Sequence, residues 1–166
     1  MKAPFALVLL AAATAALAAV AASPAVLDLH GLKSTPSVPF SVPEEAGLDA
    51  VRVVHPATAK AGEEKLAVTA VAFPKDSGMT DAELLDYVKT TFLATSAPGR
   101  KVVRAFLGKE VAGQGLEKKI PAPSLAEVYA VTKKGGDKVV LAFVFAPDFA
   151  EQAGPAIAAI AATMRE

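Results

Sequence analysis

Two histidines, His30 and His55, stand in this chain of 166 residues. His30 follows Asp28 by two positions, so a strand would put both side chains on one face, as a metal pair needs. His55 precedes Pro56 at the end of an apolar run. Two ligands do not make a site, and no third donor lies at recognisable spacing. No metal and no cofactor is expected. Beyond Ser23, serines occur at Ser34, Ser37, Ser41, Ser77, Ser96 and Ser124, none within G-x-S-x-G or S-x-x-K. A hydrolase would therefore need a site assembled from distant residues around one of the two histidines. The pairs Glu44–Glu45 and Glu63–Glu64 read as loop charge. Adjacent residues point apart, which does not suit a glycosidase couple. The stretch GKEVAGQG, from Gly108 to Gly115, lacks the Lys-Ser/Thr ending of a phosphate loop and reads as a turn followed by loose glycines. No catalytic residue is assigned.

Charge gives a sharper signal. From Arg100 to Lys138 there are nine basic and four acidic residues; from Ser23 onward, the rest of the chain has seven basic and thirteen acidic. A basic sheet edge or hairpin rim suits an acidic protein, a glycan or a lipid headgroup. Lysine at hairpin tips also keeps edge strands soluble and unpaired, which is the competing reading. Lys118, Lys119, Lys133, Lys134 and Lys138 are the candidate partner-binding residues. Few aromatic residues interleave with them, so nucleic acid is not an expected partner.

The elements that position these residues begin after a targeting segment. MKAPFALVLLAAATAALAAVAASPA carries Lys2, an apolar run and small residues around Ala19 to Ala22. It has the parts of a secretory signal peptide over residues 1–22, cut after Ala22, with Ala21 and Ala25 as other cut points. The rival reading is an uncleaved membrane anchor, since the run is about long enough to span a bilayer. The expected location is the periplasm or the exterior of a bacterium. There is no cysteine, which removes disulfides, thiolate metal sites and a thiol nucleophile together. About 140 remaining residues must stand on their own core.

Residues 23–43 read as a strand and linker segment, with AVLDLHGL as a first strand. Residues 44–166 read as one domain. Asp49–His55 and Lys65–Phe73 are apolar enough for strands, each stopped by proline. Thr80 with Glu83 forms a capping box, and Leu84, Leu85, Val88 and Phe92 recur at helical spacing. Two strands follow, Val102–Phe106 and Glu110–Ile120, with a turn near Gly108. The last pair flanks Gly135-Gly136, a turn expected to need positive φ at both glycines. On its return strand Val139, Leu141, Phe143 and Phe145 alternate with Val140, Ala142 and Val144. Both faces are apolar, so this is a central strand covered on both sides; burying its seven side chains contributes on the order of 10 kcal/mol before entropy. A closing helix runs to the C-terminus, with Asp148 and Glu151 as its cap, a break or kink at Pro155, and Ile157, Ile160, Ala161 and Met164 as its stripe.

PFSVPEEAGLDAVRV, LAVTAVAFPKD and EVYAVTKKGGDKVVLAFVFAPD, followed by the final helix, resemble the PsbP-like (Mog/PsbP/DcrB-like) superfamily. The resemblance implies an α+β fold, an α/β/α sandwich with a mostly antiparallel sheet and one helix on each face. It implies a scaffold that binds partners rather than performs chemistry. The expected function is an exported, non-enzymatic accessory or partner-binding protein of the cell envelope. The alternatives are a small-ligand or lipid binder, with a pocket between sheet and helix lined by residues such as Tyr87, Phe92 or Tyr129, and a hydrolase with a non-sequential site.

Overall fold

A computed structural model describes residues 26–119 and 122–166. The targeting segment and Ile120 lie outside those residues. The fold is α+β: a seven-stranded antiparallel sheet, two helices and a separate two-stranded hairpin. The hairpin is β1 (Leu27–Leu29) and β2 (Leu32–Ser34). The sheet strands are β3 (Glu44–Gly47), β4 (Ala50–His55), β5 (Leu66–Phe73), β6 (Arg100–Phe106), β7 (Lys109–Lys118), β8 (Ser124–Thr132) and β9 (Lys138–Phe145). The helices are α1 (Asp81–Phe92) and α2 (Ala150–Thr163).

The sheet order is β3-β4-β5-β9-β8-β7-β6, which puts β9 in the middle. After β5 the chain passes through α1 and starts again at the far edge with β6. The β6–β9 meander then walks back until β9 pairs with β5, from Leu66↔Phe145 to Phe73↔Lys138. The greasy return strand is central because it closes the sheet between two halves that were laid down separately.

Alternation along β9 divides the core in two. Val139, Leu141, Phe143 and Phe145 share a cluster with Ile157 and Ile160 of α2 and with Leu27, Leu29, Leu32 and Phe40. Val140 and Ala142 pack with Leu84, Leu85 and Val88 of α1. Helix α1 starts as its capping box predicts. The Glu83 N–H donates to Thr80 Oγ1 at 3.3 Å, and the Thr80 N–H donates to Glu83 Oε2 at 2.8 Å.

Several expectations need correction. AVLDLHGL is two short strands around a His30-Gly31 turn, with both residues at positive φ; Asp28 Oδ1 accepts the Gly31 N–H at 2.7 Å and holds that turn. Glu44 and Glu45 lie in edge strand β3, not in a loop, because the chain reverses at Leu48-Asp49 onto β4. Only Gly136 of the glycine pair has positive φ, since Lys133 and Asp137 enclose a three-residue turn rather than a two-residue one. Asp148 does not cap α2; its Oδ2 takes the Lys65 ammonium at 2.6 Å, and Phe149 stands at the N-cap without a side-chain bond. Pro155 does not stop α2, which runs through it on the strength of buried Ala153, Ala156, Ile157 and Ile160.

The β1–β2 hairpin is tied to the residues that follow α2. Lys33 and Arg165 exchange two backbone hydrogen bonds, 2.7 and 2.8 Å. Thr163 Oγ1 accepts the Thr35 N–H at 2.9 Å, and its single proton is shared between the Ala159 carbonyl at 2.8 Å and the Thr35 carbonyl at 3.0 Å. Among the described residues, no helix is long and apolar enough to cross a membrane.

Candidate functional site

Strands β7 and β8 do not pair along their whole length. Their ladder runs from Lys118↔Ser124 to Gly113↔Tyr129 and stops there. Extending the register would bring Ala112 opposite Ala130 and Glu110 opposite Thr132, yet neither pair forms. Beyond Gly113, β7 pairs only with β6, and beyond Tyr129, β8 pairs only with β9. The sheet forks, and its two prongs are the β6–β7 and β8–β9 hairpins.

An open cleft of ≈ 1050 Å³ fills the fork. Phe106, Leu107, Val111 and Val131 supply apolar wall, the start of α1 contributes Asp81 and Leu85, and Glu166 comes from the C-terminus. Four lysines line it: Lys101, Lys109, Lys133 and Lys134. Lys101, Lys109 and Lys134 are exposed, and among the described residues none of the four makes an ion pair. Of the carboxylates, Asp81 is engaged by Lys138, and Glu166 accepts the Lys134 backbone N–H.

The fork also shows where strand edges are free. A Cβ placed on Gly113 would lie 2.3 Å from the Val128 carbonyl oxygen, so that carbonyl points at β7. Residues two and four positions on share the strand phase. The backbone polar groups of Ala130 and Thr132 therefore point into the cleft, and those of Ala112 and Glu110 face them. Near the closed end, Gln114 Oε1 is buried without a hydrogen-bond partner among the described residues.

Behind the fork, Arg104 of β6 reaches across β7 to Glu127 of β8. Nε meets Oε2 at 2.6 Å and Nη2 meets Oε1 at 2.9 Å. The Tyr129 hydroxyl donates to the same Oε2 at 2.6 Å. Gly113 and Gly115 make room: a Cβ on Gly113 would sit 2.5 Å from Tyr129 Cδ1, and one on Gly115 would sit 2.9 Å from Arg100 Nε. These are strand residues at a close approach, not loose glycines. Burial pushes the Glu127 carboxyl up, but hydrogen bonds from Arg104 and Tyr129, with the guanidinium charge, hold it below the usual range. The bond to Glu127, set against burial, raises the Arg104 guanidinium. Burial, then the bond to Glu127, pushes the Tyr129 phenol up. A carboxylate so neutralised braces the sheet and is poorly suited to accept a substrate proton.

The structure splits the five lysines read from sequence. Lys118 and Lys119 lie where β8 begins; Lys133, Lys134 and Lys138 lie where it ends, about 26 Å away at strand rise. Lys133 Nζ donates to the His30 carbonyl at 3.2 Å, and Lys138 is paired with Asp81. Sequence reasoning missed Lys101 and Lys109, whose link to Lys134 depends on where a ladder stops. His30 and His55 also sit at opposite ends of the sheet. His55 is held by the Pro39 carbonyl at 2.6 Å between the rings of Phe40 and Phe149. His30 lines a smaller cleft of ≈ 270 Å³ with Asp49, Lys133 and Asp137. Among the described residues, no group of three His, Asp or Glu side chains could hold a metal ion. Tyr87 packs edge-on against Phe73, Tyr129 is fully buried and Phe92 is half-buried; none of the three lines the fork. No protein-family model matches this chain, and a search of curated proteins finds no match either.

Proposed function

We propose that this chain is an exported, non-enzymatic accessory or partner-binding protein of the cell envelope, built as a PsbP-like α/β/α sandwich. Residues 1–22 act as its signal peptide, and the protein works in the periplasm or outside the cell. The two core clusters, on alternate residues of β9, support the sandwich reading. The forked sheet carries the functional reading. A compact domain that leaves strand edges around an open cleft, with four lysines that make no ion pair among the described residues, has kept a surface for something else.

The test places a photo-crosslinking residue at Leu107 or Lys109, in the cleft, and at Lys60, in the loop by His55 at the other end of the sheet. In cells of the native source, discrete adducts should form from the cleft positions and not from Lys60, on a protein that begins at Ser23. Equal labelling from all three positions would overturn the reading.

A further inference from the structure

The geometry points to an extended, acidic peptide segment as the partner, bound as an added strand inside the fork. This rests on the partner-binding reading above and names what that cleft takes. Strand addition needs an edge with free backbone donors and acceptors, and side-chain pockets beside it. Both are present. Ala130 and Thr132 on one prong, Glu110 and Ala112 on the other, direct backbone groups into the space between unpaired strands. Thr132, Glu110 and Ala112 are exposed, so an incoming backbone can reach them. Gln114 Oε1 offers a further buried acceptor without a donor.

Charge selects among peptides. Lys109 and Lys134 stand on opposite prongs, Lys101 lies towards the closed end of the fork opposite Gln114, and all three are exposed. Against them stand Glu110 and Glu166, because Asp81 is already matched by Lys138. The excess is positive, and a peptide with alternating carboxylates sets negative groups near both prongs. Its intervening apolar side chains meet Phe106, Val111 and Val131. A glycan has no backbone N–H to pair with strand carbonyls, and a flat lipid surface does not enter a slot between two hairpins.

The probe is a fluorescein-labelled short peptide alternating Glu and Val, titrated into the full-length mature protein. Micromolar binding is expected, with shifted and protected backbone amides at Ala112 and Thr132. The same peptide with alternate amides N-methylated should bind at least about tenfold more weakly. The K109E/K134E variant should lose about tenfold in affinity with an unchanged melting temperature. Equal binding of the N-methylated peptide would overturn strand addition. Absence of peptide binding, with capture by phosphatidylglycerol vesicles that K109E/K134E abolishes, would overturn it in favour of a headgroup. Absence of peptide binding while Leu107 and Lys109 still form specific crosslinks in cells would overturn the acidic-strand inference and leave the partner-binding reading standing.

Discussion

Arg104 holds Glu127 from two strands away, reaching across β7 to form a bidentate pair at 2.6 and 2.9 Å. The pair is mostly shielded, with side-chain exposures of 21% and 12%. Removing one partner therefore strands the other in a poorly hydrated place. Arg104→Met should cost about 2–4 kcal/mol in urea unfolding. The R104M/E127L double variant should recover a large part of that loss, because no uncompensated charge remains.

The same trio sets the pH limits of stability. Glu127 lies below its ordinary 4.5 in the folded state, so the unfolded chain takes up the proton first as pH falls. Its contribution is complete above pH 4.5 and is lost as pH drops through the folded value. Tyr129 behaves oppositely: raised above 10.0, it contributes fully below pH 10.0 and loses that contribution as pH climbs towards the folded value. Melting temperature measured against pH should therefore fall at both ends. Glu127→Gln should flatten the acid limb without abolishing it, since backbone and hydroxyl donors at Thr80 also hold Glu83 low. Tyr129→Phe should flatten the alkaline limb.

Gly113→Ala and Gly154→Ala should move stability in opposite directions. At Gly113 the new methyl would meet a backbone carbonyl at 2.3 Å and the Tyr129 ring at 2.5 Å. A cost of about 2–4 kcal/mol is expected, with loss of the Arg104 geometry. At Gly154, inside α2, a Cβ meets nothing within 4 Å. There alanine should stabilise by about 0.5–1 kcal/mol. Paired thermal melts read both.

Thr163→Val keeps the shape of the side chain, leaves the Thr35 N–H without its acceptor and removes the proton shared between the Ala159 and Thr35 carbonyls. The cost should be about 1–2 kcal/mol. Native-state hydrogen exchange should localise it, with amides of Leu29 to Ser34 exchanging faster and those of Leu141 and Phe143 unchanged at low denaturant.

Local signals were readable in the sequence where local physics decides. The Thr80–Glu83 box, the double apolar face of Val139–Phe145 and the turn at Leu107-Gly108 all appear where their patterns put them. Strand β3 was not legible, because EEAG is exposed throughout and owes its conformation to β4. The Arg104–Glu127 pair was not legible either. Its members are 23 residues apart on strands separated by a third. Its one trace is the G-x-G spacing at 113 and 115, which also fits a turn. The fork leaves less trace still, because β7 and β8 read as good strands to their ends and nothing local marks where their ladder stops.

The knot between Lys33 and Arg165 has a consequence in time. A chain that emerges amino end first exposes Leu27, Leu29 and Leu32 long before Ile157 and Ile160 arrive to shelter them. All residues up to Arg165 must be present before this hairpin finds cover, so the stretch from Ile157 to Arg165 acts as the latch. A hairpin that gains its cover only from α2 and Arg165 stays pliable until those residues have folded against it.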